Sequence, residues 1–294
     1  MALSASIYIC VSSSIKSVIF AKHFGYRRIH ALLRRDGVEV NHQRVYRLYR
    51  EANLAVCRRK PRKGVAVPRE SLTLPLRRNE VWSMDFVMDA LGNGRRIKIL
   101  TIVDDCTKEA IDLATDLGIS GEYVTQILDQ AAMFRGYPSA IRTDQGPEFT
   151  GKALDQWAYA RGVQLKLIQP GTPTQNAYIE SFNGKFRDEC LNEHWFQSLA
   201  HARTVIRVWK QDYNEPRPHS MLKYQTPAET AEQLRHKDST KTYLAVVLRR
   251  DAGLSLVLEP GSRQADTTPL LCSLRRLYSL RAHRPSPPWA LRER

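Results

Sequence analysis

Between residues 81 and 168 the apolar residues switch between an alternating and a helical period in one fixed order, and that order restricts the fold more than any other feature of the chain. Val81 to Met88, Ile97 to Val103 and Ala110 to Ala114 have the length and pattern of three successive strands. Gly92-Asn93-Gly94 supplies turn chemistry after the first, and Asp105-Cys106-Thr107-Lys108 is polar between the second and third. An antiparallel meander is expected. A helix is then predicted from about Glu122 to Phe134, a strand from about Ala140 to Thr143, a helix from about Lys152 to Ala160, and a strand from Gln164 to Ile168. Two more helices follow, near Gln175 to Leu191 and Leu199 to Tyr213.

The first three strands are joined by short connections, and helices separate the later ones. The order β-β-β-α-β-α-β therefore predicts a mixed α/β fold, a ribonuclease-H-like five-stranded sheet flanked by helices.

Upstream of the sheet the text is short, helical and basic. Tyr26, Ile29 and Leu33 recur at helical spacing until Asp36-Gly37 stops them. Asn41 can cap a second helix with an inner stripe of Val45, Leu48 and Ala52, leaving Arg44, Arg47 and Arg50 on another side. This is a helix-turn-helix-like pattern, which a two-helix surface hairpin with solvated arginines would share. Arg58, Arg59 and Lys60 open an Arg-Arg-Lys-Pro-Arg-Lys run followed by Gly64, Pro68 and Pro75, an extended basic tether suited to lying along DNA.

Charge supports a nucleic-acid partner. Residues 1–79 carry 17 basic and 4 acidic side chains, residues 80–233 carry 16 and 21, and residues 234–294 carry 12 and 5, within a formal total of +15. A concentrated basic head matches a phosphate backbone, whose condensed counterions it releases. With 43% hydrophobic and 26% charged residues, the composition excludes collagenous, fully disordered and membrane-embedded classes. Cys10, Cys57, Cys106, Cys190 and Cys272 form no C-x-x-C pair, which points to reduced thiols and a cytoplasmic setting. The first twenty residues have no basic residue before their apolar run and are broken by Lys16 and six serines, so they read as non-targeting. The last sixty or so residues show no clear period and little secondary structure is expected there.

Three acids fall in separate elements of the predicted sheet. Asp85 interrupts an apolar strand in Trp-Ser-Met-Asp-Phe, Asp144 ends a strand before Gln-Gly-Pro-Glu-Phe, and Glu180 lies on the helix that follows Gln169-Pro-Gly-Thr-Pro-Thr-Gln175. Each alone is more simply a turn former or a surface acid. Together they would be unstable unless cations were bound, because two carboxylates about 4 Å apart repel by about 4 kcal/mol at an effective dielectric of about 20. Oxygen-only donors select Mg²⁺ or Mn²⁺ over zinc, and a pair of such ions suits in-line phosphoryl displacement.

The acids also carry a family resemblance. Thirty-five residues separate Asp144 from Glu180, and with Asp85 upstream this resembles the D,D-35-E triad of retroviral integrases and their bacterial relatives. Arg187, seven positions or nearly two turns after Glu180, matches the basic residue that the family places on the same helix face. The phrases Phe-Gly-Tyr-Arg-Arg-Ile-His, Trp-Ser-Met-Asp-Phe-Val, Thr-Asp-Gln-Gly-Pro-Glu-Phe, Glu-Ser-Phe-Asn-Gly-Lys-Phe-Arg-Asp-Glu-Cys and Asn-Glu-Pro-Arg-Pro-His-Ser together resemble the second-reading-frame (OrfB) transposases of the IS-three class of bacterial insertion sequences. The resemblance covers roughly Phe24 to Glu229.

What the resemblance implies is a DDE transposase that cleaves DNA at the ends of its element and joins the freed 3′-hydroxyl to another strand. Asp85, Asp144 and Glu180 would be catalytic and metal-binding, and water and then a DNA hydroxyl would be the nucleophiles, leaving Ser83 and Tyr178 without that role. Arg187 and Lys185 would contact DNA beside the Arg44, Arg47, Arg50, Arg58, Arg59 and Lys60 set. Implied partners are element-end and target DNA, further copies of the chain on that DNA, and an upstream-frame protein or frameshift fusion. The implied organisation is an atypical segment at 1–22, a helix-turn-helix-like region at 23–57, a linker at 58–78, an integrase core at 79–233 and an atypical extension at 234–294. Those two atypical ends motivate the alternative, an inactive or regulatory DNA-binding remnant. A nuclease on RNA–DNA hybrids would share the core without joining strands.

Asp89, Asp104, Asp105 and Glu148 are secondary acids, Asp104 and Asp105 as strand enders and Glu148 as a favourable charge at the start of the next helix. His219, Trp82, Trp157, Phe182 and Phe186 are expected to be structural.

Overall fold

The computed structural model describes residues 24–54, 75–168 and 176–237. Helices α1 (Tyr26–Arg35) and α2 (His42–Glu51) precede strands β1 (Val81–Ala90), β2 (Arg96–Asp104) and β3 (Ala110–Asp116). Helix α3 (Gly121–Arg135), strand β4 (Ala140–Thr143), helix α4 (Lys152–Arg161) and strand β5 (Gln164–Leu167) come next, then α5 (Ala177–Glu189) and α6 (Leu199–Asn214). The sheet order is β3-β2-β1-β4-β5. β1 pairs antiparallel with β2, and β2 with β3, whereas β1–β4 and β4–β5 are parallel. This is the mixed five-stranded, ribonuclease-H-like arrangement that the element order predicts.

Period-two alternation sorts the two faces. Val87, Ile97, Ile99, Val103 and Leu113 face α5 and α6, where Ile179, Phe182, Phe186, Ile206 and Trp209 complete one core. Trp82, Met84, Leu100, Ile102 and Ile141 face the other way and pack with Val124, Leu128, Leu154 and Trp157 of α3 and α4. β1 lies between hydrogen-bonded neighbours and beneath both cores, so a polar side chain on it must be positioned by partners.

Helix ends follow local chemistry. Asn41 accepts the Gln43 N–H at 3.0 Å and caps α2, and Gly37 at φ +79° closes α1. The buried stripe of α2 differs from the expected one: Val45 and Tyr49 are buried, while Leu48 and Ala52 are half-buried. The larger Tyr49 ring turns the helix towards α1, where it lies 6.4 Å from the Tyr26 ring.

A seventh helix, over residues 227–237, extends into the stretch expected to lack structure. Thr226, Pro227 and Glu229 explain it. The Thr226 hydroxyl accepts the Glu229 N–H at 3.1 Å, and the Glu229 carboxylate accepts the Thr226 N–H at 2.8 Å. That is a capping box with proline at the first helical position, a signal present in the sequence and missed by a search for apolar periodicity. Glu229 also receives Arg35 of α1 at 2.5 Å, seating the helical pair on the core.

Three buried ion clusters tie elements together. Arg135 reaches Asp104 at 2.9 Å and also Glu109, fixing the end of α3 to the β2–β3 turn. Arg217 pairs with Glu189 and, at 2.9 Å, Asp212, joining α5 and α6 to the segment that follows them. Arg142 of β4 meets Asp105 at 2.6 Å, and the Ser83 hydroxyl of β1 donates to the same carboxylate at 2.9 Å.

Two stability outcomes are expected. Phe186→Ala, at 0% exposure, should cost about 3–5 kcal/mol in urea unfolding, whereas Phe134→Ala, at 91% exposure, should stay within about 0.5 kcal/mol. Arg142→Ala strands the Asp105 carboxylate and should cost about 3–5 kcal/mol by the same measurement.

Candidate active site

Asp85 sits at the middle of β1, opposite Thr101 of β2 in the antiparallel register, on the side covered by α5. The buried Thr101 hydroxyl donates to the Asp85 backbone carbonyl at 3.0 Å, holding the strand at this point. Asp85 Oδ1 accepts the Phe86 N–H at 2.7 Å, and Oδ2 accepts the Asn183 amide at 2.8 Å. Asn183 is three residues after Glu180 on α5, so the two share a helix face.

Asp144 follows the last residue of β4, whose parallel pairing places Arg142 beside Ser83. Because Asp85 and Asp144 each lie two residues beyond that pair, strand alternation turns both to the α5 side. Asp144 Oδ1 accepts the Gly146 N–H at 3.1 Å. A Cβ at position 146 would come within 3.2 Å of that oxygen, so glycine permits the tight turn around the carboxylate. Glu180 is exposed in the first turn of α5.

Asp144 and Glu180 are each within electrostatic reach of Asp85. Burial pushes the Asp85 carboxyl above the usual carboxylate range, and the charges of Asp144 and Glu180 push the same way, opposed by the hydrogen bonds from Phe86 N–H and Asn183. Among the described residues no group of three or more acid, histidine or cysteine side chains is close enough to hold a metal ion, Asp85, Asp144 and Glu180 included. The donor chemistry nevertheless fits a hard divalent ion. All three acids offer oxygen, and Asn183 Oδ1 is a buried oxygen without a hydrogen-bond partner among the described residues. Asn183 was not anticipated from the sequence; its signal is the one-turn offset from Glu180 in Glu-Ser-Phe-Asn.

Neighbouring acids are committed elsewhere. Asp104 accepts the N–H groups of Cys106 and Thr107 at 2.8 and 3.1 Å and ends β2 as expected. Asp105 is pushed up by burial and pulled down by Arg142, Ser83 and Lys108. Asp89 accepts the Ala90 N–H at 2.8 Å. Glu148, placed ahead of the next helix, pairs with Lys98, which holds its carboxyl low. Lys98 in turn lies 3.9 Å from the Phe86 ring centre. The Tyr178 ring lies beneath the Lys108 ammonium at 3.6 Å, and the Ser83 hydroxyl is spent on Asp105.

The basic residues fall into distinct settings. Arg187 is exposed, with its guanidinium 3.3 Å from the Met88 carbonyl. Lys185 corrects the expectation of an outward DNA contact: five residues from Glu180 turns it about 140° around the helix, towards residues 217–219. Its Nζ lies 3.3 Å from His219 Nε2, and burial together with Arg28 and Arg217 lowers it to about 8. Burial and Lys185 lower His219 to about 3, keeping it neutral and structural. Arg44, Arg47 and Arg50 are exposed on α2, Arg47 lying 4.0 Å from Glu51. Arg58, Arg59 and Lys60 lie outside the described residues. No helix among the described residues is long and apolar enough to cross a membrane.

Integrase core domain families match residues 75–173 and 161–227, and an HTH-like domain family matches residues 17–63. The insertion element IS407 uncharacterized 31.7 kDa protein of Burkholderia multivorans is 70% identical over 210 residues, covering 71% of this chain and 76% of the relative. Transposase InsD for insertion element IS2 of Escherichia coli is 30% identical over 228 residues, covering 71% and 74%. A chain of the simian T-cell lymphotropic virus intasome, solved in complex with PP2A regulatory subunit B56 gamma, aligns at 16% identity and a TM-score of 0.48, covering 65% of this chain and 67% of its own. The described chain thus belongs to the IS3-family OrfB transposases, with an HTH-like region joined to an integrase core.

Proposed function

We propose that this chain cleaves DNA at the ends of its insertion element and joins the freed 3′-hydroxyl to target DNA, with Asp85, Asp144 and Glu180 as the catalytic acids. The observation that supports this reading is that two acids from other elements, Asp144 and Glu180, bear electrostatically on the half-buried Asp85 of β1. A pair of Mg²⁺ or Mn²⁺ ions held by these acids would neutralise their charges and polarise the phosphate oxygens on either side of the bond being exchanged.

The residues of the chain supply position rather than covalent chemistry. The Phe86 N–H and Asn183 amide fix the rotamer of Asp85, and the Gly146 N–H fixes that of Asp144. Glu180, on the first turn of α5, closes the set from the helix side. Arg187 reaches a phosphate along the same helix face, and Arg44, Arg47 and Arg50 hold DNA further from the reacting bond. Water attacks first and the exposed 3′-hydroxyl second, so no side chain becomes covalently attached. Copies of the chain assembling on DNA, and an upstream-frame partner or fusion, complete the proposal, in a cytoplasmic, nucleoid-associated setting.

Asp144→Asn should lower strand joining at least a hundredfold with element-end DNA and Mg²⁺, while gel-shift binding of the same DNA stays within twofold; undiminished joining would falsify the assignment. The pH dependence has a definite sign. A carboxyl with a raised pKa loses its charge early on acidification, so Mn²⁺ binding followed by calorimetry should weaken as pH falls, beginning above the ordinary aspartate value of about 4. Binding unchanged down to that value would contradict a role for Asp85 as a ligand.

A further inference from the structure

Trp195 is 77% exposed, an unusual state for the largest apolar side chain, yet its surroundings are rigid. On one side Phe196 is buried in the α5–α6 core, and its carbonyl accepts the Gly92 N–H at 2.7 Å. On the other, the His194 ring bonds the Cys190 carbonyl at 2.8 Å and stacks on Phe196 at 6.4 Å. The indole rests against the β1–β2 turn at Gly92, where any Cβ would lie 2.5 Å from its Nε1. A glycine in the turn and an anchored residue at each side therefore hold a flat aromatic surface out towards solvent.

Its position continues the track of the active site. Along α5 and beyond, Glu180, Arg187 and Trp195 follow in order, and along β1 they are matched by Asp85, Met88 and Gly92. From Asp85, β1 runs five more residues to Ala90 and Gly92 follows in the turn, a path of at most about 23 Å. Arg95 and Arg96 of the same hairpin are exposed, as is Arg187, whereas Asp89 is bonded to Ala90 and both Asp188 and Glu193 have partners within the chain. The exposed aromatics Phe134 and Tyr159 lie on α3 and α4, over the opposite sheet face, and have no place on this track.

We propose that Trp195 is a stacking platform for an unpaired DNA base, with Arg95 and Arg187 receiving the adjoining phosphates. The combination of an outward aromatic face and interleaved arginines is the chemistry by which single-stranded nucleic acid is held. An intact duplex hides its base faces except at its ends, so the site selects a splayed or frayed nucleotide. At about 3.4 Å per base step, that nucleotide lies about seven positions from the bond held at the acids. The inference rests on the DNA-processing reading above.

The test uses the full chain and labelled element-end duplexes, either fully paired or carrying a short mismatched run about seven positions from the cleavage site. Trp195→Ala should weaken binding of the mismatched duplex about tenfold and leave the paired duplex within twofold, and Trp195→Phe should retain most of the affinity. The wild-type indole emission should be quenched by the mismatched DNA more than that of Trp195→Ala. Equal losses on both DNAs, no loss on either, or a change in sedimenting mass without a change in DNA discrimination would overturn the proposal, the last by making the indole a protein contact. Asp144→Asn should keep the discrimination, so a failure of joining chemistry and a failure of stacking are read separately.

Discussion

A carboxylate on a strand with hydrogen-bonded neighbours on both edges and apolar cores over both faces is the constraint around which this molecule is arranged. Asp85 is held in place by the pairing of β1 with β2, and burial raises the proton affinity of its carboxyl. The structure answers locally, with a backbone amide and a side-chain amide on its two oxygens. It also answers at longer range, because the parallel entry of β4 and the crossing of α5 bring Asp144 and Glu180 close enough to raise its proton affinity. The site is therefore assembled by sheet pairing and helix packing rather than by any one loop.

Beneath it, polar residues are buried in pairs and triplets that hold the same elements in register. Ser83 and Arg142, two residues back along β1 and β4 from the two aspartates, both bond Asp105. Such pairs add little net stability over apolar residues of the same shape, but each fixes a particular alignment, since a slip of one residue would leave a buried charge unmatched. For a site that depends on where β1 and β4 end, alignment is the more consequential property.

The sheet was legible because strand period and crossover length are properties of contiguous sequence: Val81 to Met88 and Ala140 to Thr143 needed no knowledge of their partners. The acids proposed as catalytic, Asp85, Asp144 and Glu180, were nominated in the sequence by their spacing within recognisable phrases. Asn183 and the Ser83–Asp105–Arg142 group were not, because their roles exist only once β4 lies beside β1 and α5 crosses them. Lys185 was misjudged for a related reason, since helical angle separates it from Arg187 although only one residue intervenes. The helix over 227–237 was legible in principle through Thr226, Pro227 and Glu229, and was passed over because its apolar periodicity is weak.

Glu229 carries one more implication. A single oxygen, Oε2, accepts both the Thr226 N–H that begins the last helix and the Arg35 guanidinium of the basic head. Anchorage of the head and initiation of that helix thus draw on one atom. A substitution at this position is therefore felt at once in two segments distant in the chain.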